Sequence, residues 1–281
     1  MSHTYTEYAA LDAINQSRLK HIADSPAHYK AKLEEGDSDT DARIMGRYLH
    51  ALALDPVDAL TSFVRWTEGR RAGQSWKAFQ LHHAGRSIIP YATDAQKSTC
   101  ERYERMADAV QRHPYVLSLL NTPGAQTEAT FAGPDPVTGR LIKCRADLVK
   151  PTADGFWFDL KGVNTTDARQ FGAMAYRNRW IHQGAFNRRC ILAQHGEAPT
   201  TYGFIVVEDR APFDVAIFVV PTDMMELADN EVTEWLRLLE ECERTDKWPG
   251  RQAAAGECPQ LLDVPAYAFG GTDPDIFITE D

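Results

Sequence analysis

Two charged residues set inside an aromatic strand constrain this chain more than anything else in it. The run GFWFDLKGV (155–163) is apolar except for Asp159 and Lys161. In an extended strand successive side chains alternate between faces, so Asp159 and Lys161 share one face and Leu160 takes the other. The preceding run, RLIKCRADLVK (140–150), is separated from it by PTADG, a strong turn signal. A still earlier run, TEATFAG (127–133), precedes the turn PDPVTG. Three short strands joined by tight turns predict an antiparallel meander. If the second and third strands pair across PTADG, Asp147 comes close to the face that carries Asp159 and Lys161. Two carboxylates and an ammonium then converge, and burying such charges without partners costs several kcal/mol.

Carboxylates placed together repel, and a divalent cation between them relieves the repulsion. Mg²⁺ prefers oxygen ligands, and a neighbouring ammonium can position or activate water at such a site. A solvent-facing strand with an Asp–Lys pair on one face satisfies the same D…DxK spacing. The spacing alone therefore leaves both readings open.

The flanking segments predict an α/β domain with a central mixed sheet flanked by helices, with no internal repeat. Asn15 or Ser17 caps a first helix that is interrupted near Ser25-Pro26 and resumes to Leu33. GDSDTD (36–41) reads as a loop. ARIMGRYLHALAL (42–54) has helical spacing and is stopped by Pro56. Residues 65–90 show little periodicity and read as a long mobile segment. One helix is expected from about Ala95 to Leu120, and a helical region from Asp167 to His195. TYGFIVVE (201–208) and FDVAIFVV (213–220) predict a hairpin, followed by a helix from Thr222 to about Thr245 and a loop-like end after WPG (248–250). Residues 1–250 thus read as one domain and 251–281 as an acidic tail.

Net charge is −10 over 281 residues, which at first argues against a nucleic-acid partner. The acidity is uneven. Residues 222–281 carry fifteen acidic and four basic side chains, and the remainder is close to neutral. Deleting 265–281 is expected to leave function intact. Five widely spaced cysteines without a CxxC pair suit reduced structural thiols rather than a disulfide framework or a zinc finger. No apolar run approaches the ~18 residues of a membrane span, so a soluble, cytoplasmic chain with no membrane partner is expected. P-loop, GxSxG and HExxH motifs are absent, and His82-His83 reads as a solvated pair.

Beyond the strands, INQSRLKHIADSPAHY (14–29), GRYLHALALDP (46–56), Glu128, RADLV (145–149), FDLKGV (158–163), Tyr176 and Gln183 occur in an order that resembles the PD-(D/E)XK nucleases. Within them the chain is similar to the exonuclease VIII (RecE-type) and lambda-exonuclease-like enzymes of phage recombination. The resemblance spans roughly residues 5–250 and implies a restriction-endonuclease-like core. It implies that Asp147 and Asp159 are the paired metal acids and that Lys161 orients or activates the attacking water. The Leu160 carbonyl, His50 and Glu128 complete a site for two Mg²⁺, with Mn²⁺ as the alternative ion. Gln183 matches the helix glutamine of the QxxxY pattern, but the tyrosine four residues on is Asn187 here. Ser17 lies in the N-terminal motif that packs beside the site.

Basic and aromatic residues together suit phosphate contact and base stacking. Arg65, Trp66, Arg70, Arg71, Trp76 and Arg86 lie in 65–90, and Tyr176, Arg177, Arg179, Arg188 and Arg189 follow the strands. The resemblance implies 5′→3′ digestion of linear double-stranded DNA ends to 5′-mononucleotides, leaving a 3′ single strand for recombination by annealing. It also implies a ring-shaped homo-oligomer, trimer or tetramer, a single-strand annealing recombinase as partner, and a bacterial or phage-infected cell. The rival readings are an endonuclease or single-strand nuclease on the same fold, and a non-catalytic DNA-binding recombination scaffold.

Overall fold

The computed structural model describes residues 5–36, 39–254, 259, 261 and 262. Of the acidic tail expected at 251–281, residues 251–254, 259, 261 and 262 are described, and the 265–281 deletion lies outside them. Helices α1 (Tyr5–Ala10), α2 (Gln16–Leu19) and α3 (Pro26–Glu35) open the chain, with a 3-10 turn, Lys20–Ala23, before α3. Asn15 caps α2 by accepting the Arg18 N–H at 3.0 Å. Ser25 caps α3 with Pro26 in its first turn, where a missing N–H costs nothing.

Helix α4 (Asp41–Leu54), capped by Thr40, ends at Asp55, which in turn caps α5 (Pro56–Ser62). The segment expected to lack regular structure carries a compact strand–helix–strand unit instead. Strands β1 (Phe63–Trp66) and β2 (Ser87–Pro90) pair in parallel, and α6 (Gly73–His82) connects them. The pattern was hidden because both strands have only four residues and α6 buries none of its residues fully.

The single helix expected over 95–120 is two, α7 (Asp94–Arg112) and α8 (Pro114–Leu120). Pro114 cannot continue the hydrogen-bond ladder, so the chain breaks at His113 and restarts with proline in the first turn. The region 167–195 is likewise divided into α9 (Ala168–Arg177) and α10 (Trp180–His195), with Arg179 left-handed at φ 60° between them.

The meander is present as β3 (Gln126–Pro134), β4 (Leu141–Lys150) and β5 (Phe156–Val163). With β6 (Thr201–Glu208) and β7 (Val215–Val219) they form a mixed sheet in the order β3-β4-β5-β6-β7. Only the β5–β6 pair is parallel, and α9 and α10 make its crossover. Helix α11 (Thr222–Thr245) follows, and a helical turn, Arg251–Ala254, stands where a loop was expected.

Strand alternation sorts the core into two layers. Trp157, Phe204 and Val206 pack under α9–α11 with Phe171, Phe186 and Leu236. Phe156, Phe158, Leu160, Ile205 and Val207 pack under α4, α7 and α8 with Leu49, Met106 and Val110. Cys100, Cys144, Cys190 and Cys242 are free and buried. Among the described residues no helix is long and apolar enough to cross a membrane.

Candidate active site

The register of the sheet brings the acids together. Thr127 pairs with Leu148 and Ala129 with Ala146, so Glu128 stands opposite Asp147. Glu128 is left-handed at φ 49°, a conformation that costs a non-glycine residue ~1–2 kcal/mol. Helix α4 supplies His50, whose Nδ1 lies 3.3 Å from Asp147 Oδ2 and 3.7 Å from Glu128 Oε1. Ligand atoms of His50, Glu128 and Asp147 all lie within 4.8 Å of one another.

The two carboxylates are each oriented by a further neighbour. Arg145, two residues before Asp147 on β4, donates its Nε to Glu128 Oε2 at 2.7 Å. Glu128 Oε1 is buried without a hydrogen-bond partner. Asp147 is 6% exposed and its Oδ2 accepts the Leu160 N–H at 2.8 Å, which fixes the β5 backbone against it. Burial works against a charged His50, but Asp147 and then Glu128 hold its pKa well above the usual imidazole value. Burial also pushes the Asp147 carboxyl up, and His50, with Lys161 and the Leu160 N–H, outweighs it to leave the pKa below the usual range.

Asp159 and Lys161 share one face, as alternation requires. They form an ion pair, and Gln183 on α10 spans them, donating to Asp159 at 2.9 Å and accepting from Lys161 at 3.5 Å. Asp159 is 1% exposed, and burial raises its pKa to about 6 despite the adjacent Lys161. The Asp159 oxygens thus face Lys161 and Gln183, beside the His50–Glu128–Asp147 set rather than within it. Gln183 can reach because Gly184 lets α10 approach the sheet: a Cβ there would lie 2.4 Å from the Tyr202 ring.

This donor set suits a divalent cation. Two carboxylates and an imidazole converge, and one buried carboxylate oxygen has no donor.

Residues 15–261 match the family described as PDDEXK-like domain of unknown function (DUF3799). The chain belongs to the PDDEXK-like family. Its mixed α/β fold also resembles a protein from Eubacterium rectale provisionally assigned as an exonuclease. That likeness has a TM-score of 0.60 at 14% identity and covers 96% of this chain and 98% of the other. A second structure, SSO0001, overlaps at a TM-score of only 0.26 and 14% identity, over 59% of this chain and 80% of its own. No curated protein is significantly similar in sequence.

For this PDDEXK-like chain, several expected DNA contacts have other engagements. Trp66 is 2% exposed, edge-on to Trp76 and Phe79, and its Nε1 donates to the Gly69 carbonyl, so its ring is closed to a base. Arg65 pairs with Glu104 and lies over Tyr91, Arg71 forks onto Asp41, and Arg86 caps backbone carbonyls of Leu60 and Phe63. Arg189 is 2% exposed and bound to Asp135 and Asp229, a structural ion network rather than a phosphate contact. Arg179 pairs with Asp24. Ser17 is exposed and donates to Asn15, and Asn187 is buried one turn beyond Gln183. Arg70, Tyr176, Arg177 and Arg188 are exposed, and Trp76 is half-buried.

Two contributors escaped the sequence reading. Arg145 had a signal, since period 2 places it on the same strand face as Asp147. Trp180, whose ring centroid lies 5.3 Å from the Lys161 ammonium, had none, because only the crossover geometry brings it there.

Proposed function

We propose that the chain is a Mg²⁺-dependent deoxyribonuclease that digests linear double-stranded DNA from its 5′ ends. The observation that carries this reading is the juxtaposition of the His50–Glu128–Asp147 set with Asp159–Lys161–Gln183 at the centre of a PDDEXK-like sheet. The Eubacterium rectale fold relative, provisionally named as an exonuclease, supports the direction of the reading.

Glu128, Asp147 and His50 would hold the ion, with Asp159 and the Leu160 carbonyl at its edge. A divalent cation there supplies positive charge to the phosphoryl oxygens and acidifies water. Lys161 directs its ammonium at the attacking water. Gln183 and Asp159 hold that ammonium in line, and Trp180 covers it with a ring face. Arg145 keeps Glu128 turned so that Oε1 faces the cation site. Ser17, Arg70, Trp76, Tyr176 and Arg177 contribute the DNA surface. The products are 5′-mononucleotides and a 3′ single strand, passed to an annealing recombinase by a ring-shaped oligomer of this chain.

Duplexes labelled at one end, with and without a 5′-phosphate and in Mg²⁺ or EDTA, test the reading. Lys161→Ala and Asp159→Ala are each expected to abolish Mg²⁺-dependent nucleotide release while circular dichroism is unchanged. Full activity in either variant or in EDTA refutes the mechanism, and cleavage of covalently closed circles refutes the end requirement.

A further inference from the structure

Gln183 faces the ion pair on β5, but its neighbour His182 lines a different space. A cavity of about 940 Å³ lies there between α9, α10 and α11. Three rings run along its wall. Tyr176 lies 5.8 Å from His182, and His182 stacks on Trp235 at 4.8 Å with 18° between the planes. Tyr176 is 47% exposed and Trp235 half-buried, so ring surface is presented to the cavity.

The polar groups are unevenly satisfied. His182 is 3% exposed, and its Nε2 is engaged by Glu231, but its Nδ1 is buried with no hydrogen-bond partner. Arg179 is paired with Asp24, Arg237 with Glu234 and Arg189 with Asp229. Arg177 is exposed and, of the charged lining residues, is the one without a partner among the described residues.

We infer that this cavity takes one nucleotide unit of a DNA strand, with its base against the Tyr176–His182–Trp235 rings and its phosphate on Arg177. Aromatic faces accept any base, an unpaired guanidinium matches a phosphate, and the volume lies within the ~300–1,000 Å³ range of small-molecule sites. Position supports the same occupant. His182 and Gln183 are consecutive on one helix, so their side chains leave α10 about 100° apart, Gln183 toward β5 and His182 toward α11. The cavity and the catalytic cluster thus adjoin the same helix. The inference rests on DNA being the substrate, and it adds a subsite that holds the strand beside the cleavage point.

Calorimetric titration in EDTA separates this from catalysis. Wild-type protein should bind dAMP at least tenfold more tightly than deoxyribose 5-phosphate or inorganic phosphate. Arg177→Ala and Tyr176→Ala, both at exposed positions, should each weaken dAMP at least tenfold. Trp235→Phe should retain binding and Trp235→Leu should lose it. Absence of dAMP binding, equal binding of phosphate alone, or unchanged affinity in Arg177→Ala overturns the inference. Duplex digestion in Mg²⁺ is read in parallel on the wild type. If DNA is digested but dAMP does not bind, the cavity assignment falls alone. If dAMP binds as stated and no DNA is digested, the nuclease reading falls instead.

Discussion

Replacing Arg189 by Met is expected to cost about 3–4 kcal/mol of folding stability. The guanidinium is 2% exposed. Its Nε donates to Asp229 Oδ1 at 2.6 Å, and its Nη2 to Asp229 Oδ2 at 2.8 Å and the Asp229 carbonyl at 2.9 Å, and also to the Thr233 hydroxyl. Nη1 donates to Asp135 Oδ1 at 3.1 Å. Breaking a buried ion pair by removing one partner costs ~3–5 kcal/mol, because the other charge stays behind unpaired. Two features place this case in the lower half of that range. Asp135 Oδ2 keeps three donors, the Val137 and Thr138 N–H groups and the Thr138 hydroxyl. Asp229 is 37% exposed and can be rehydrated. Urea unfolding of the wild type and variant measures the difference directly, and the slope should be unchanged. The double variant with Asp135→Asn should lose less than the two single variants together, with a coupling above ~1 kcal/mol. The salt dependence of DNA binding should not change, because Arg189 contacts no phosphate. A loss below ~1 kcal/mol, or strict additivity, refutes the network argument.

Saturating Mg²⁺ at about a hundred times its dissociation constant should stabilise the wild type by ~2.7 kcal/mol, and Asp147→Asn should abolish the shift in a thermal melt. Stability without the ion should depend on pH in a defined sense. Asp159 titrates near 6 when folded against its ordinary 3.8, so the folded chain holds the extra proton and stability is lost as pH rises from about 4 to about 6. His50, held above its ordinary 6.5, contributes stability that is lost at higher pH still, as pH rises through its folded value. Melts in EDTA should therefore show a midpoint falling with pH, and the part between about pH 4 and 6 should vanish in Asp159→Asn. Gly184→Ala should cost ~1–3 kcal/mol by overpacking and slow DNA digestion. Its Cβ meets a Tyr202 ring that is buried and tied through its hydroxyl to the Trp180 carbonyl at 3.1 Å, so α10 must move and take Gln183 with it. An unfolding midpoint equal to wild type would show that the helix has room.

The meander was legible because its signals are local: turns at PDPVTG and PTADG, and alternation through Asp159 and Lys161. The convergence of His50, Glu128 and Asp147 was legible only through family resemblance, since no spacing links residues 50, 128 and 147. Burial explains most of what was misread. Trp66 and Arg189 are residue types common on DNA surfaces, and a linear sequence does not show that one is enclosed by Trp76 and Phe79 or the other by two aspartates. Short elements explain the rest. Strands of four residues such as β1 and β2 hold too few alternations to stand out, and the breaks at His113 and Arg179 interrupt otherwise continuous helical patterns.

The left-handed backbone at Glu128 sets a trap for anyone who engineers this protein for heat resistance. Glycine at position 128 would relieve ~1–2 kcal/mol of backbone strain, but it would also leave the Arg145 guanidinium without its carboxylate and discard an acid that faces His50 and Asp147. The strained backbone therefore holds an ion pair and a cation-facing carboxylate together, and a glycine placed there to relieve the strain forfeits both.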